Sequence, residues 1–412
     1  MKQLIIFDEA SRSAIYGIGT YIREIVHSLC DHYQIIVIIY YSKKKEFIIT
    51  DKKTHKEISI PCNQLKFIEG KNDIRYFLNS LYLIYDYINP KNEVVFLLNH
   101  FRRNSFIELL KEYWPQSKVL LTVHYMYWCF LIEGNASYFK EIISQNKKNR
   151  NIQIEIERDV LIEYHIEKEC LEKVDHIISL SEYTRNILID SYDIPQDKIT
   201  LIYNGLEDNA CILSQREKLF LKKQLQILDC SKIVLFVGRI DKIKGIEELI
   251  RAFKMLMREN CYLFIIGDGE LLNNCLSECE GYRNRIIFTG YLPKNIIYKY
   301  YQIADVGVLL SKHEQCSYVA IEMMMHGIPI IASDTTGLDE MIKDEVNGYK
   351  IKTVENREIV SFDIDNCSSL LSSALDTDNS RLRIEARNKY EREYTSHKMK
   401  TELLYVLNEI YK

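Results

Sequence analysis

The sequence predicts an α/β protein built from two open, mostly parallel sheets, each covered by helices on both faces. Three observations predict this. Short, continuously apolar runs recur through both halves and alternate with amphipathic helical stretches, the pattern of strands buried on both sides. The 412 residues suffice for two domains of about 150 to 200 residues, each able to bury its own core. Glycines and charged residues follow the apolar runs, at the strand ends where open parallel sheets gather ligands.

In the first half the strands are predicted at 4–7, 34–39, 94–98, 119–123, 176–180 and 199–203. The opening MKQLIIF is too short for the apolar region of a secretory signal and reads as a buried strand. The loop DEASRSAIYGIGT leads from it into a helix with Ile22, Ile25 and Leu29 on one face. Gly17 and Gly19 stand where that loop enters the helix. There they would let backbone amides approach a phosphate, although a plain tight turn explains them equally well. No third glycine completes the dinucleotide pattern G-x-G-x-x-G. Lys43, Lys44, Lys45, Lys52 and Lys53 form a basic stretch read as a solvated loop, and 147–150 form another. Such runs also suit an anionic membrane surface or a lipid phosphate. His124 directly follows the strand 119–123. Tyr125, Tyr127, Trp128 and Phe130 come next, as core packing or as the lining of an acceptor cleft. In DHIISLSEYT, Ser181 is placed to cap a new helix.

The second half repeats the rhythm after a helix predicted at 215–228. A strand at 233–237 is followed by the loop GRIDKIKG and a helix at 246–257. Arg239 and Lys244 therefore share one strand-to-helix loop near a helix N-terminus, a set suited to pyrophosphate and also to a solvated surface. Strands at 262–266 and 285–288 lead to the turns Gly267-Asp268-Gly269 and Thr289-Gly290-Tyr291-Leu292. Two further strands, 306–310 and 328–332, frame a helix from near Ser317 to Gly327. Glu314 lies just before this helix and Glu322 inside it. Val319, Ala320, Ile321 and Met323 to Met325 surround Glu322 in sequence, so its carboxylate requires a partner. The tail carries Met399, Leu403, Leu404, Leu407 and Ile410 at helical spacing.

Composition narrows the function. A formal net charge of -4 argues against a nucleic-acid surface. The 11 cysteines are scattered without paired spacing, which fits reduced thiols in a cytoplasm. Cys275 and Cys279 lack a second Cys/His pair nearby, so a metal role is not expected. No apolar run approaches the roughly 20 residues that cross a bilayer. No D-x-D pair follows a strand; Asp363 and Asp365 lie in a polar stretch.

Gly238, Arg239, Lys244 and Gly245 spell G-R-x4-K-G, and Glu314 and Glu322 spell E-x7-E ahead of Gly327-Ile328-Pro329. Together they resemble the signatures of family 4 glycosyltransferases (glycosyl transferases group 1), retaining enzymes of the GT-B fold. Residues 175–350 carry most of the resemblance, and the first half matches in pattern. The resemblance implies two Rossmann-like domains facing each other across a cleft. Residues 1–206 would bind the acceptor and 207–394 the nucleotide sugar, with 395–412 a helix returning to the first domain. It further implies that Arg239 and Lys244 hold the donor diphosphate, as the Gly238 loop approaches it. Glu314 would meet hydroxyls of the donor sugar, Glu322 those of the ribose, and amides around Cys316, Ser317 and Tyr318 a phosphate. Tyr291 and Leu292 would border the base, Gly17-Ile18-Gly19-Thr20 would be a variant of the family's glycine-rich loop, and His124 would lie near the sugar. Neither metal nor other cofactor is implied.

The implied acceptor is a glycan or lipid-linked saccharide of bacterial surface polysaccharide synthesis. A peptide, a small metabolite, or a non-catalytic partner subunit are the alternatives. The expected location is cytoplasmic, with peripheral contact at the inner membrane face. Two departures stand out. Gln315, Cys316 and Ser317 replace the Gly-Phe-Gly that commonly follows the first glutamate, and Tyr125 stands where many relatives have aspartate.

Overall fold

The computed structural model describes residues 2–10, 17–62, 71–100, 104–148, 154–256, 258–357 and 359–411. The chain divides into two compact units: Met1–Tyr127, Gln153–Glu207 and Ser396–Lys412 form unit 1, and Trp128–Ile152 with Asp208–Thr395 form unit 2.

Unit 1 is built on eight strands: β1 (Gln3–Glu9), β2 (Gln34–Ser42), β3 (Ile48–Asp51), β4 (Lys56–Pro61), β5 (Val94–Leu98), β6 (Lys118–Val123), β7 (His176–Ser179) and β8 (Ile199–Leu201). Their order across the sheet is β3-β4-β2-β1-β5-β6-β7-β8. All neighbours run parallel except β3 and β4, which are antiparallel. Apolar residues on successive positions of β1 are buried on both faces, with Leu4, Ile5 and Ile6 at most 1% exposed, as the unbroken apolar run required. The helix Gly17–Leu29 buries Ile18, Tyr21, Ile22, Ile25, Val26 and Leu29, a stripe at helical spacing. The final helix, Ser396–Glu409, buries Met399, Leu403, Val406 and Leu407 and packs on that first helix. Phe7 anchors an aromatic core, stacked on Tyr40 and Phe96 and edge-on to Phe106.

Lys43, Lys44, Lys45, Lys52 and Lys53 are all exposed, as expected of a solvated stretch, but strand β3 lies between the two groups. Lys52 and Lys53 sit in the turn of the β3–β4 hairpin, where Lys52 N donates to His55 O at 2.9 Å. Strand β3 has no buried residue, so it lacks the alternation that announces a strand. Residues 149–150 of the second basic cluster and 11–16 of the first loop lie outside the described residues.

Unit 2 carries a six-stranded parallel sheet in the order β11-β10-β9-β12-β13-β14, from β9 (Lys232–Val237), β10 (Cys261–Ile266), β11 (Ile286–Gly290), β12 (Val306–Leu309), β13 (Ile330–Ser333) and β14 (Gly348–Ile351). A small antiparallel ribbon, β15 (Thr353–Glu355) with β16 (Val360–Phe362), follows. The core closes between β9, β10 and β12 and the helices Ile246–Lys254 and Ile364–Asp376. The helix at 215 is shorter than expected, Gln215–Gln224, opened by a capping box between Ser214 and Glu217.

The 1–206 segment is not one continuous domain, because Trp128–Ile152 groups with unit 2. The packing explains it. Trp128 stacks on Phe139 and meets the His313 ring edge-on, while Ser137 N donates to Glu355 Oε2 at 3.0 Å. Glu133 pairs with both Lys242 and Lys312 at 3.2 Å.

Candidate active site

In unit 2 the chain passes from β9 to β10 and β11 on one side, and places β12 and β13 on the other. The carboxyl ends of β9 and β12 therefore diverge at a topological switch point, the place where open sheets bind ligands. Gly238 follows β9 with φ +153°, and its amide donates to Ile266 O at 3.0 Å. A Cβ on Gly267 would stand 1.8 Å from Gly238 O. Only glycine lets these two loops lie backbone against backbone.

Asp241 organises the rest of the loop. Its Oδ1 accepts from the amides of Ile243 at 3.1 Å and Lys244 at 3.2 Å, while Oδ2 lies 3.1 Å from Arg239 Nη2. Lys244 Nζ donates to Glu314 Oε1 at 2.6 Å, with both side chains 18% exposed. The two sequence motifs thus meet side chain to side chain.

Glu314 is held from the far side as well. Its amide donates to Thr336 Oγ1 at 2.8 Å, and that hydroxyl donates back to Glu314 O at 2.7 Å. Ser333 and Thr335 hydroxyls both donate to Ser311 O at 2.6 Å, and Lys312 N donates to Ile243 O at 2.7 Å. A Cβ on Gly337 would fall 1.5 Å from Gln315 O. Sequence reasoning missed this 333–337 clamp. Its signal was the hydroxyl-rich stretch SDTTG directly after a predicted strand. Between Lys312 and Glu314, His313 is buried, and desolvation pushes its pKa down to about 4 against the opposing pull of Glu314.

Ser317 caps the helix Tyr318–Met325, its hydroxyl accepting from Ala320 N at 3.4 Å, and Cys316 and Tyr318 flank it, largely buried. Glu322, 7% exposed, has the partners that its apolar surroundings demanded. Tyr301 OH donates to its Oε2 at 2.9 Å, and Lys294 Nζ lies 3.0 Å from Oε1. Burial first, and Glu322 second, raise the Tyr301 phenol well above its ordinary range. Lys294 and Tyr301 both belong to the helix Lys294–Ile303, seven residues apart and hence on one face. Tyr291, exposed, and Leu292 immediately precede that helix.

The remaining sequence candidates lie in unit 1. Gly17 opens the first helix, exposed, with nothing within 4 Å of the place a Cβ would occupy; Gly19 is buried in the helix's first turn. His124 Nε2 is 3.0 Å from Asn99 Oδ1, and its ring meets Tyr21 edge-on at 4.6 Å. Desolvation, with His100 second, holds the His124 ring well below its usual pKa. Asp8, Asn99 and His100 cluster with it and were not singled out from sequence. The rule that flagged His124, a polar residue at the carboxyl end of a strand, would have found Asn99 and His100 after β5.

Among the described residues no group of three or more His, Cys, Asp or Glu side chains is placed to hold a metal ion. Cys275 and Cys279 are buried, and burial pushes their thiols up to about 12 and about 11. No described helix is long and apolar enough to cross a membrane.

Two mostly parallel sheet units, one with charged loops at its switch point, have the architecture of the GT-B fold. Two family models match consecutive parts of the chain: Glycosyltransferase Family 4 over residues 15–209 and Glycosyl transferases group 1 over residues 217–367. The chain belongs to the family 4 glycosyltransferases. An uncharacterized glycosyltransferase of Methanocaldococcus jannaschii is 34% identical over 198 residues, 47% of this chain and 50% of that protein. The lipopolysaccharide 1,2-N-acetylglucosaminetransferase of Salmonella typhimurium is 26% identical over 183 residues, 42% of this chain and 48% of that one. This chain spans about half the length of the curated relatives it matches. Among solved structures, sucrose-phosphate synthase of Thermosynechococcus elongatus superposes with TM-score 0.75 at 18% identity, covering 99% of both chains. HepE of Anabaena in complex with UDP-glucose gives TM-score 0.67 at 14% identity, covering 98% of this chain and 99% of that one. These two likenesses describe the fold.

Proposed function

We propose that this chain transfers a sugar from a nucleotide-sugar donor to a saccharide or lipid-linked acceptor, with retention of anomeric configuration and without a metal ion. The observation that carries the reading is the 2.6 Å contact between Lys244 and Glu314. It joins the cationic loop suited to a diphosphate to the carboxylate suited to sugar hydroxyls, at the switch point of one sheet. The UDP-glucose in the HepE structure and the lipopolysaccharide relative support the donor class and the acceptor class.

Charge decides how the site would work. Arg239 pairs with Asp241 and Lys244 with Glu314, so these four groups sum to zero. A diphosphate gains attraction when Glu314 turns to the sugar hydroxyls and leaves Lys244 to the phosphate. At about 4 Å and an effective dielectric near 20, each cation then contributes roughly 4 kcal/mol per unit charge before desolvation. Only the part that grows as the leaving diphosphate gains charge accelerates the reaction. The bond from the anomeric carbon to the diphosphate breaks and the acceptor oxygen bonds to that carbon on the same face, the leaving phosphate taking the acceptor proton. Glu322 takes the ribose hydroxyls, and Tyr291 and Leu292 border the base.

Screening UDP-, GDP- and ADP-sugars by thermal shift tests the donor. A ligand at 100 times its dissociation constant adds about 2.7 kcal/mol of stability; no shift with any of them sinks the reading. NMR of the product's anomeric proton tests retention. Transfer is expected to persist in EDTA, and manganese-restored activity would contradict metal independence. The proposed location is the cytoplasm, with the acceptor met at the membrane's inner face; fractionation of tagged protein in cells checks it.

A further inference from the structure

One turn of the 128–152 segment reaches both loops that carry Lys244 and Glu314. It links the helices Trp128–Leu131 and Ala136–Lys147 and is fixed at each end. Gly134 N donates to Cys129 O at 2.8 Å, a closure that ends a helix. The Asn135 side chain accepts from Tyr138 N at 2.9 Å and caps the next one. Glu133 fills the left-handed position of that closure, with φ +47°, where glycine is usual. Backbone strain of this kind persists only where the surroundings hold it, and it gathers at functional sites.

The Glu133 carboxylate is divided between the two loops. Oε1 accepts from Lys242 Nζ and Oε2 from Lys312 Nζ, each at 3.2 Å. Lys242 stands two residues before Lys244, and Lys312 two before Glu314. Between these arms the loops lie against each other: Lys312 N donates to Ile243 O at 2.7 Å, and a Cβ on Gly245 would fall 2.1 Å from Leu310 O. Against the upward push of burial, Lys312 and then Lys242 hold the Glu133 carboxyl below its ordinary range. The arms differ in weight. The Lys242 side chain is 60% exposed, and exposed pairs contribute little. That of Lys312 is 8% exposed, so its charge demands a partner, and Glu248 is farther off at 3.8 Å. Gly134 lets the turn come this close, for at φ +79° its Cβ would stand 2.7 Å from that of His313.

We propose that Glu133 is a positioning residue for the donor site, holding the 241–245 and 310–314 loops at the spacing that sets Lys244 against Glu314 and leaves it ready for a diphosphate. What the loops bind rests on the glycosyltransferase reading; the hold on them does not. The donor site then takes one of its supports from chain that lies between two strands of unit 1, β6 and β7. Residues 208–395 alone lack that support.

The test compares Glu133→Gln and Glu133→Gly in the full chain. Glu141→Gln is the control, since Glu141 belongs to the same segment but pairs with Arg357 in the β15–β16 turn, at 3.0 Å. Amide exchange at Lys244 and Lys312 is followed without ligand, and affinity for UDP, GDP and ADP by calorimetry. Both Glu133 variants are expected to exchange these amides about tenfold faster and to bind the preferred nucleotide about tenfold more weakly, as loss of one charge-assisted hydrogen bond predicts. Glu141→Gln is expected to do neither. Glycine also relieves the backbone strain, so Glu133→Gly is expected to melt higher than Glu133→Gln while binding no better. A residue that only stabilises the fold gives affinities that follow the melting temperatures. That result, or native exchange and affinity in both variants, overturns the proposal. If none of the three nucleotides binds the native chain, the nucleotide-sugar reading falls, and amide exchange still decides whether Glu133 holds the loops.

Discussion

Lys244 and Glu314 act as each other's counter-charge, and a partly buried charge whose partner is removed is left with its desolvation cost. Glu314→Gln keeps the shape and frees Lys244. It is expected to bind UDP at least as tightly as the native chain by calorimetry, while transfer falls about 100-fold, as losses of single charge-stabilising groups do. Equal losses in binding and turnover would show that Glu314 serves only to hold the loop. Tyr301→Phe strips a hydrogen bond from a buried carboxylate, which is expected to cost about 1.5 to 3 kcal/mol in urea unfolding. Glu322's need for a partner was legible from its apolar neighbours. The partner's identity was not, because Tyr301 reaches it from another helix, a meeting that only tertiary packing creates.

At the scale of the element, the site depends on loops pressed together without side chains between them. Gly337→Ala would put a methyl 1.5 Å from Gln315 O, an overlap that backbone has to yield to. The expected result is a loss of about 2 kcal/mol or more together with weakened donor binding, measured by thermal melts with and without UDP; a variant as stable as the native chain would contradict the clamp. The G-R-x4-K-G loop was legible because its strand, turn and helix are local and each leaves its own signature. The 333–337 clamp was not, since a hydroxyl-rich turn looks alike whether it faces solvent or secures a neighbouring loop. The edge hairpin was illegible for a related reason: β3 buries none of its residues, so hydrophobic pattern does not mark it.

Over the whole molecule, stability is tied to pH most strongly by two buried histidines, one in each unit, with His326 shifted in the same direction. Burial pushes His313 down to about 4 and His124 down to about 3 in the folded chain, against an ordinary 6.5. The unfolded chain therefore binds protons that the folded chain refuses. Stability is intact above about 6.5 and falls as pH drops from there towards 4, by about 1.4 kcal/mol per unit for each histidine. Replacing either with glutamine is expected to flatten the slope of unfolding free energy between pH 6 and 4; an unchanged slope would contradict the assignment. The two-sheet architecture was readable from its central strands, which are buried on both faces and so apolar without interruption, whereas β3, β4 and β14 left no such mark.

The final helix, Ser396–Glu409, belongs to unit 1 although all of 208–395 precedes it in the chain. During synthesis the first helix emerges early and its covering helix only after 208–395. At about 5 to 20 residues per second, roughly 10 to 40 s separate the end of unit 1's central segment from the arrival of its cover. For that interval a growing chain carries unit 1 without its covering helix while the main part of unit 2 is being made. Ribosome-bound chains arrested at residue 395 should accordingly be more readily cut by protease in unit 1 than in unit 2.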